Sequence, residues 1–248
     1  TAGRAGIPLF LMAIMVGNGA NSGALSPFAP TGIIVNGLMA KHGMPGLEAV
    51  TYLSNFLAHA AVAFTGYALF GGLTLFGAGR ATFAPPDTGE THAFDRRQWV
   101  TLGVIATLIV SVLVAGVHVG LAAFAGAVVL ALSGSADDSD AVRGMPWGVI
   151  VMVCGVTVLI ALVERFQGVD LLVALVARIS SADTVTGVVA FLTGLVSVYS
   201  STSGVVLPAF LPIVPGLAAE LPGSSAVAIA LSMNIGGHLV DVSPLSTI

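Results

Sequence analysis

Two short runs hold most of the residues in this chain whose types and spacing suit binding chemistry. Gly17 to Ile33 carries Asn18, Asn21, Ser22, Ser26, Pro27 and Thr31, and residues 236–248 carry His238, Asp241, Ser243, Pro244 and Thr247. Both contain a Ser-Pro pair with a Thr shortly after it. A third polar run, Ser200-Ser201-Thr202-Ser203-Gly204, lies between them. Hydroxyls and helix N-termini receive an anion without a lysine field, because oriented N–H groups give a fractional positive end. Ser26, Pro27, Thr31, Ser201, Thr202, Ser243, Pro244 and Thr247 are therefore the candidate anion-binding positions. Carbonyls freed by a broken helix, with side-chain oxygens, suit a cation instead. Asn18, Asn21, Ser22, Ser200, His238 and Asp241 are the candidates for cation coupling, with a sodium ion at Asn21 and Asp241.

Plainer roles compete for each of these. Ser and Thr routinely cap helix ends, and Asp241 can cap a half-helix. An intramembrane acid is nevertheless a functional candidate, and His238 titrates near neutral pH unless packing forbids it. His59 reads as a polar helix-packing contact, and Asn55 as a bridge between helices.

The elements that must position these residues belong to a membrane. Hydrophobic residues make up 56% and charged residues 8% of the chain, against roughly 25% charged in soluble domains. Mean hydropathy is +1.01. The single Cys154 excludes a disulfide framework, and no basic block points to nucleic acid. Ile7 to Val16 and Thr31 to Lys41 are each half a span, joined by a break in which Pro27 and Pro30 remove backbone donors. Such a break survives in a bilayer only when buried in protein or lining a polar cavity. Paired breaks in corresponding halves predict a midplane binding site.

Leu47 to Phe76 predicts a long helix, and residues 79–98, with Pro85-Pro86, a solvated cytoplasmic linker. Trp99 to Val117, His118 to Leu132 and Met145 to Val163 predict further spans. Glu164 to Ser181 predicts an interfacial helix, residues 184–217 a re-entrant hairpin with Ser200–Ser203 at its tip, and Ser224 to Ile235 a second half-helix. The organisation is thus residues 1–78 as the end of a first repeat, 79–98 as linker and 99–248 as a second repeat. Arginines at 4, 80, 96, 97 and 143 face Lys41, Arg165 and Arg178 across the bilayer, which favours the first set as cytoplasmic. A start without Met and an end inside a motif predict a fragment of a longer carrier.

Asn18 to Lys41 (NGANSGALSPFAPTGIIVNGLMAK) closely resembles the matching stretch of the dicarboxylate carrier MatC family. That family belongs to the wider ion-transporter group with the divalent anion:sodium symporters and citrate carriers. Ser200-Ser201-Thr202 resembles the symporters' Ser-Asn-Thr hairpin tip, with Ser201 where they carry Asn, and Asp241 to Thr247 resembles the unwound loop of their second repeat. The resemblance spans essentially the whole chain. It implies an all-α, polytopic, inverted-repeat transporter fold with broken helices and re-entrant hairpins, a homodimer in the bacterial inner membrane, and a rigid transport domain moving past a scaffold. The first hairpin and the scaffold helices would lie upstream. The function implied is cation-coupled (Na⁺ or H⁺) transport of malonate or a C4-dicarboxylate, with no cofactor beyond the coupling ion and with lipid as surroundings. A cation/proton antiporter of the same superfamily, resting on Asp241, is the alternative. An intramembrane serine hydrolase using Ser203 and His238 is a remote one.

Overall fold

The computed structural model describes residues 7–76 and 94–241. Among the described residues every regular element is helical, as the apolar composition and the absence of strand alternation require. The chain divides into two units, Thr1–Ala81 with Gly148–Ile248, and Thr82–Trp147.

The first unit opens with α1 (Leu9–Ser22), a break, and α2 (Pro30–Lys41). Sequence spacing ends the first half-helix at Val16, but the helix runs on to Ser22. Its small polar residues close bonds within their own helix: Asn18 Nδ2 donates to the Ile14 carbonyl at 2.9 Å and Ser22 Oγ to that of Gly19 at 2.7 Å. The irregular stretch shrinks to residues 23–29, a chain of tight turns in which Ala24, Ser26 and Ala29 donate to carbonyls three residues back. Pro30 restarts the helix at a first-turn position where its missing N–H costs nothing. Gly32 makes the turn possible, since a Cβ there would stand 2.0 Å from the Ser26 carbonyl oxygen.

Helix α3 (Glu48–Leu69) then runs 22 residues and gives way at Gly71, in the left-handed region, to a 3-10 turn at Gly72–Phe76. It is shorter than the apolar run suggests because glycine at 71 and 72 offers the chain a turn. Further on come α7 (Trp147–Arg165), α8 (Gly168–Ile179) and α9 (Val185–Ser197). The Lys41 ammonium meets the Glu164 carboxylate at 3.6 Å, which sets the ends of α2 and α7 on one side. Helix α8 buries Val173 and Val176 and leaves Leu171, Leu175 and Ile179 exposed beside Asp170 and Arg178.

After α9 the chain turns through Ser200 and Ser201 into a rod from Thr202 to Glu220. Three prolines divide it. A π-helical turn at Thr202–Val206 precedes Pro208 in α10 (Leu207–Phe210), a 3-10 turn at Leu211–Ile213 holds Pro212, and α11 (Val214–Glu220) carries Pro215 in its first turn. Each proline lacks the donor a continuous α-ladder would need, so the ladder changes pitch around it. At 19 residues the rod is long enough to cross a membrane, where the sequence predicts a re-entrant limb ending near residue 217. Helix α12 (Ala226–Val240) completes the unit. Val35 and Met39, Val185 and Val189, Leu207 and Leu211, and Ile229 and Met233 form its core.

In the second unit α4 (Arg96–Ala115) and α5 (Val119–Leu132) pack as a pair, followed by the short α6 (Asp138–Arg143). Helix α4 begins three residues before the predicted Trp99, because Asp95 and Gln98 form a capping box: the Asp95 carboxylate accepts from Arg96 N at 2.6 Å, and Gln98 Oε1 accepts from Asp95 N at 2.9 Å. Most of the predicted linker, 77–93, lies outside the described residues.

Candidate functional site: two buried polar centres in the first unit

The first centre sits where α1 ends. The last carbonyls of a helix have no partner within it. Asn55 Nδ2, from α3, donates to the carbonyls of Asn21 at 2.9 Å and Ser22 at 3.3 Å. One turn along α3, His59 Nδ1 meets Asn18 Oδ1 at 2.9 Å. One turn the other way, Thr51 Oγ1 reaches Met39 Sδ at 3.7 Å, a sulfur that Asn234 Nδ2 of α12 approaches at 3.5 Å. Thr51, Asn55 and His59 thus form a stripe at helical spacing, and each is 0% exposed.

The second centre joins the hairpin tip to the end of α12. Ser201 caps the rod, its hydroxyl accepting from Gly204 N at 3.2 Å. Thr202 Oγ1 donates to Asp241 Oδ1 at 2.5 Å and lies 3.5 Å from the Gly237 carbonyl. A Cβ on Gly237 would stand 2.7 Å from Thr202 Cγ2 and 3.3 Å from Ser197 Oγ, so glycine alone lets the tip approach. Below it α9 and α12 touch backbone to backbone: an added Cβ on Gly236 would lie 2.2 Å from the Ala190 carbonyl oxygen, and one on Gly194 would lie 3.0 Å from that of Gly236.

Chemically the two centres are rich in acceptors and short of donors. His59 Nε2, His238 Nε2, Asn55 Oδ1, Asn234 Oδ1 and Ser197 Oγ are all buried without a hydrogen-bond partner. Each such atom costs about 1–3 kcal/mol unless something fills the place. A cavity of about 170 Å³ has Asn18, Ser22 and His59 on its wall, and a groove of about 630 Å³ runs past Asn18, Thr65, Gly66 and Val240.

The predicted site residues divide accordingly. Thr202, Asp241 and, through Gly237, His238 come together at the second centre, with Ser200 and Ser201 in the adjoining tip. Asn18, Asn21 and Ser22 are at the first, with the Asn18 side chain and the Asn21 and Ser22 carbonyls already engaged by α3 or by α1 itself. Ser26 accepts a long 3.4 Å bond from Phe28 N, and Pro27 stands beside it in the turn. Thr31 follows Pro30 in the first turn of α2, half-buried. Ser243, Pro244 and Thr247 lie outside the described residues. Among the described residues no group of three or more His, Cys, Asp or Glu is placed to hold a metal ion.

Asn234, Met39 and Ser197 were not readable as site residues. The only available signal was polar residues four apart, Asn234 with His238 and Asn55 with His59, inside otherwise apolar helices.

Residues 2–236 match the family model described as citrate transporter, CitMHS. The chain belongs to the citrate transporter family. No curated protein and no solved structure matches it. Membership makes it an integral membrane protein and a secondary transporter of the citrate and dicarboxylate type, with an anion as substrate. It also places the chain in the wider ion-transporter group that Asn18–Lys41 resembles, through its citrate members and not through the malonate carriers. Citrate transporters are not enzymes, so the serine hydrolase reading falls.

Proposed function

We propose that this protein moves small polycarboxylate anions, citrate or a malonate- or C4-sized dicarboxylate, in company with a cation. The observation that carries the reading is the bond from Thr202 to Asp241, which brings a hairpin tip onto the end of a half-helix. In this reading the anion lies against the tip hydroxyls of Ser201 and Thr202 and against the restart of α2 at Ser26, Pro27 and Thr31. Ser243, Pro244 and Thr247 complete its shell. The coupling cation, Na⁺ or H⁺, uses the acceptor-rich end of α1 with Asn18, Asn21 and Ser22, or that of α12 with His238, Asp241 and the neighbouring Ser200 of the tip. Half-helix C-termini suit cations for the same dipolar reason that N-termini suit anions. A homodimer in a bacterial inner membrane is the setting we propose.

The test is uptake of labelled citrate and malonate into proteoliposomes holding the full-length protein, under an inward Na⁺ gradient, a proton gradient, or neither. Gradient-dependent accumulation of either anion is expected. Sodium or proton flux with no anion uptake would overturn the reading in favour of the antiporter.

A further inference from the structure

Position 204 is a glycine for reasons of space. Its φ lies outside the left-handed region, so the backbone there asks for no special residue. An added Cβ, however, would collide with Met152 Cε and stand 3.0 Å from Ser201 Oγ. The first turn of the rod is thus bare on the side where the Met152 methyl rests, next to the hydroxyl that caps the turn. That turn is π-helical, Thr202–Val206, and it lies against α2. Wide turns of this kind recur at functional sites.

Met152 comes from α7, a helix held to the unit by a thin seam. No residue of α7 is buried. Its half-buried residues include Met152, Val156, Ile160 and Glu164, one stripe at a spacing of four. Val151, Val158 and Leu159 on its other sides are exposed. Glu164 ends the stripe on Lys41, in a surface ion pair that contributes little. Met152 ends it on the tip. An unbranched thioether with three rotatable bonds adapts its shape more readily than a branched side chain. Helix α7 therefore sets a yielding apolar stop against the turn where Ser201 and Thr202 offer their hydroxyls.

We propose that Met152 is a specificity-determining residue of this carrier, the movable apolar wall that sizes the anion at the hairpin tip. The inference deepens the carrier reading and rests on it. Hydroxyls and the N–H groups of a first turn select for negative charge, and they do so for a short or a long polycarboxylate alike. Size is set by the bulk beside them. Met152 places bulk there and has no donor to offer a further carboxylate. Shortening the side chain makes room for the bulkier citrate, and enlarging it takes room from citrate before malonate.

The experiment is uptake of labelled citrate and labelled malonate, side by side, into proteoliposomes holding the full-length protein or its Met152→Ala, Met152→Leu and Met152→Phe variants. Met152→Ala is expected to raise the citrate-to-malonate ratio of kcat/KM by about tenfold, a typical effect of lost apolar bulk in a pocket. Met152→Leu, of similar volume, should leave the ratio nearly unchanged, and Met152→Phe should lower it. A ratio that stays fixed across the series, with both anions slowed alike, is the mark of a structural role and would overturn the inference. A second measurement needs no turnover. In a Cys154→Ser background, Met152→Cys is treated with a membrane-impermeant methanethiosulfonate, and citrate or malonate should slow its modification severalfold. Cys154 of the unsubstituted protein, on the exposed side of α7, is the control and should not respond. Equal modification of Met152→Cys with and without either anion contradicts the proposal. Should the unsubstituted protein take up neither anion, the carrier reading falls and this inference with it; a fixed ratio during continued uptake removes the inference alone.

Discussion

The hydroxyl of Thr202 lies 2.5 Å from Oδ1 of Asp241, a residue 39 positions later in the chain. The contact ties the hairpin tip to the end of α12. Its neighbour Ser201 instead serves the first turn of its own rod.

Thr202→Val should keep the shape of the tip and remove its donor. A hydrogen bond to a charged group contributes about 1.5–3 kcal/mol, so anion uptake is expected to fall about tenfold to a hundredfold. Thr202→Ser should keep most of it. Initial uptake rates in proteoliposomes decide the matter, and normal uptake by the valine variant would separate the tip from the transport site.

Ser26→Ala removes a hydroxyl whose one bond among the described residues is a 3.4 Å contact with Phe28 N. Stability should change by less than about 0.5 kcal/mol, while uptake drops severalfold if the hydroxyl meets the anion. Thermal unfolding in detergent, run beside uptake, separates the two effects.

Asn55→Ala strips the donor from the carbonyls of Asn21 and Ser22. Leaving buried acceptors bare is expected to lower stability by about 1–3 kcal/mol. Ser54→Ala, next in sequence but bonded among the described residues only to the Thr51 carbonyl of its own helix, should cost much less. Comparable losses in the two variants would argue against the bridge.

Gly236→Ala should be severe, because its new Cβ would meet the Ala190 backbone at 2.2 Å. Overpacking against backbone costs about 1–3 kcal/mol or more. Gly187→Ala, with nothing within 4 Å, is the matched control and should be silent. The measurement is the thermal midpoint of each purified variant.

His42, in the turn between α2 and α3, is held below the usual imidazole range by burial and by Lys41, with Glu164 opposing. The unfolded chain therefore binds a proton more readily than the folded one. Stability from this group is complete above about pH 6.5 and is lost as pH falls below that value. His42→Gln should flatten this acid loss, as followed by unfolding temperature between about pH 7.5 and pH 5.

Some of this arrangement could be read from the chain alone. Pro27 and Pro30 marked the first break, and the apolar runs marked the helices. The end of α1 was misplaced because Asn18 and Ser22 look like loop residues, yet they fold back on their own helix. The pairing of centres was out of reach for a different reason. Asn234 meets Met39 across 195 positions, and His59 meets Asn18 across 41. Helical spacing shows which residues share a face; it says nothing about which other face they meet.

The crossing of α9 and α12 has a mechanical consequence. Where Gly236 faces Ala190 no side chain intervenes that a rotamer change could move aside. Two bare backbones in contact do not slide or swivel by small adjustments. They behave as one stiff strut, so α9 and α12 shift together, and the hairpin tip that follows α9 stays in step with the end of α12 that holds Asp241.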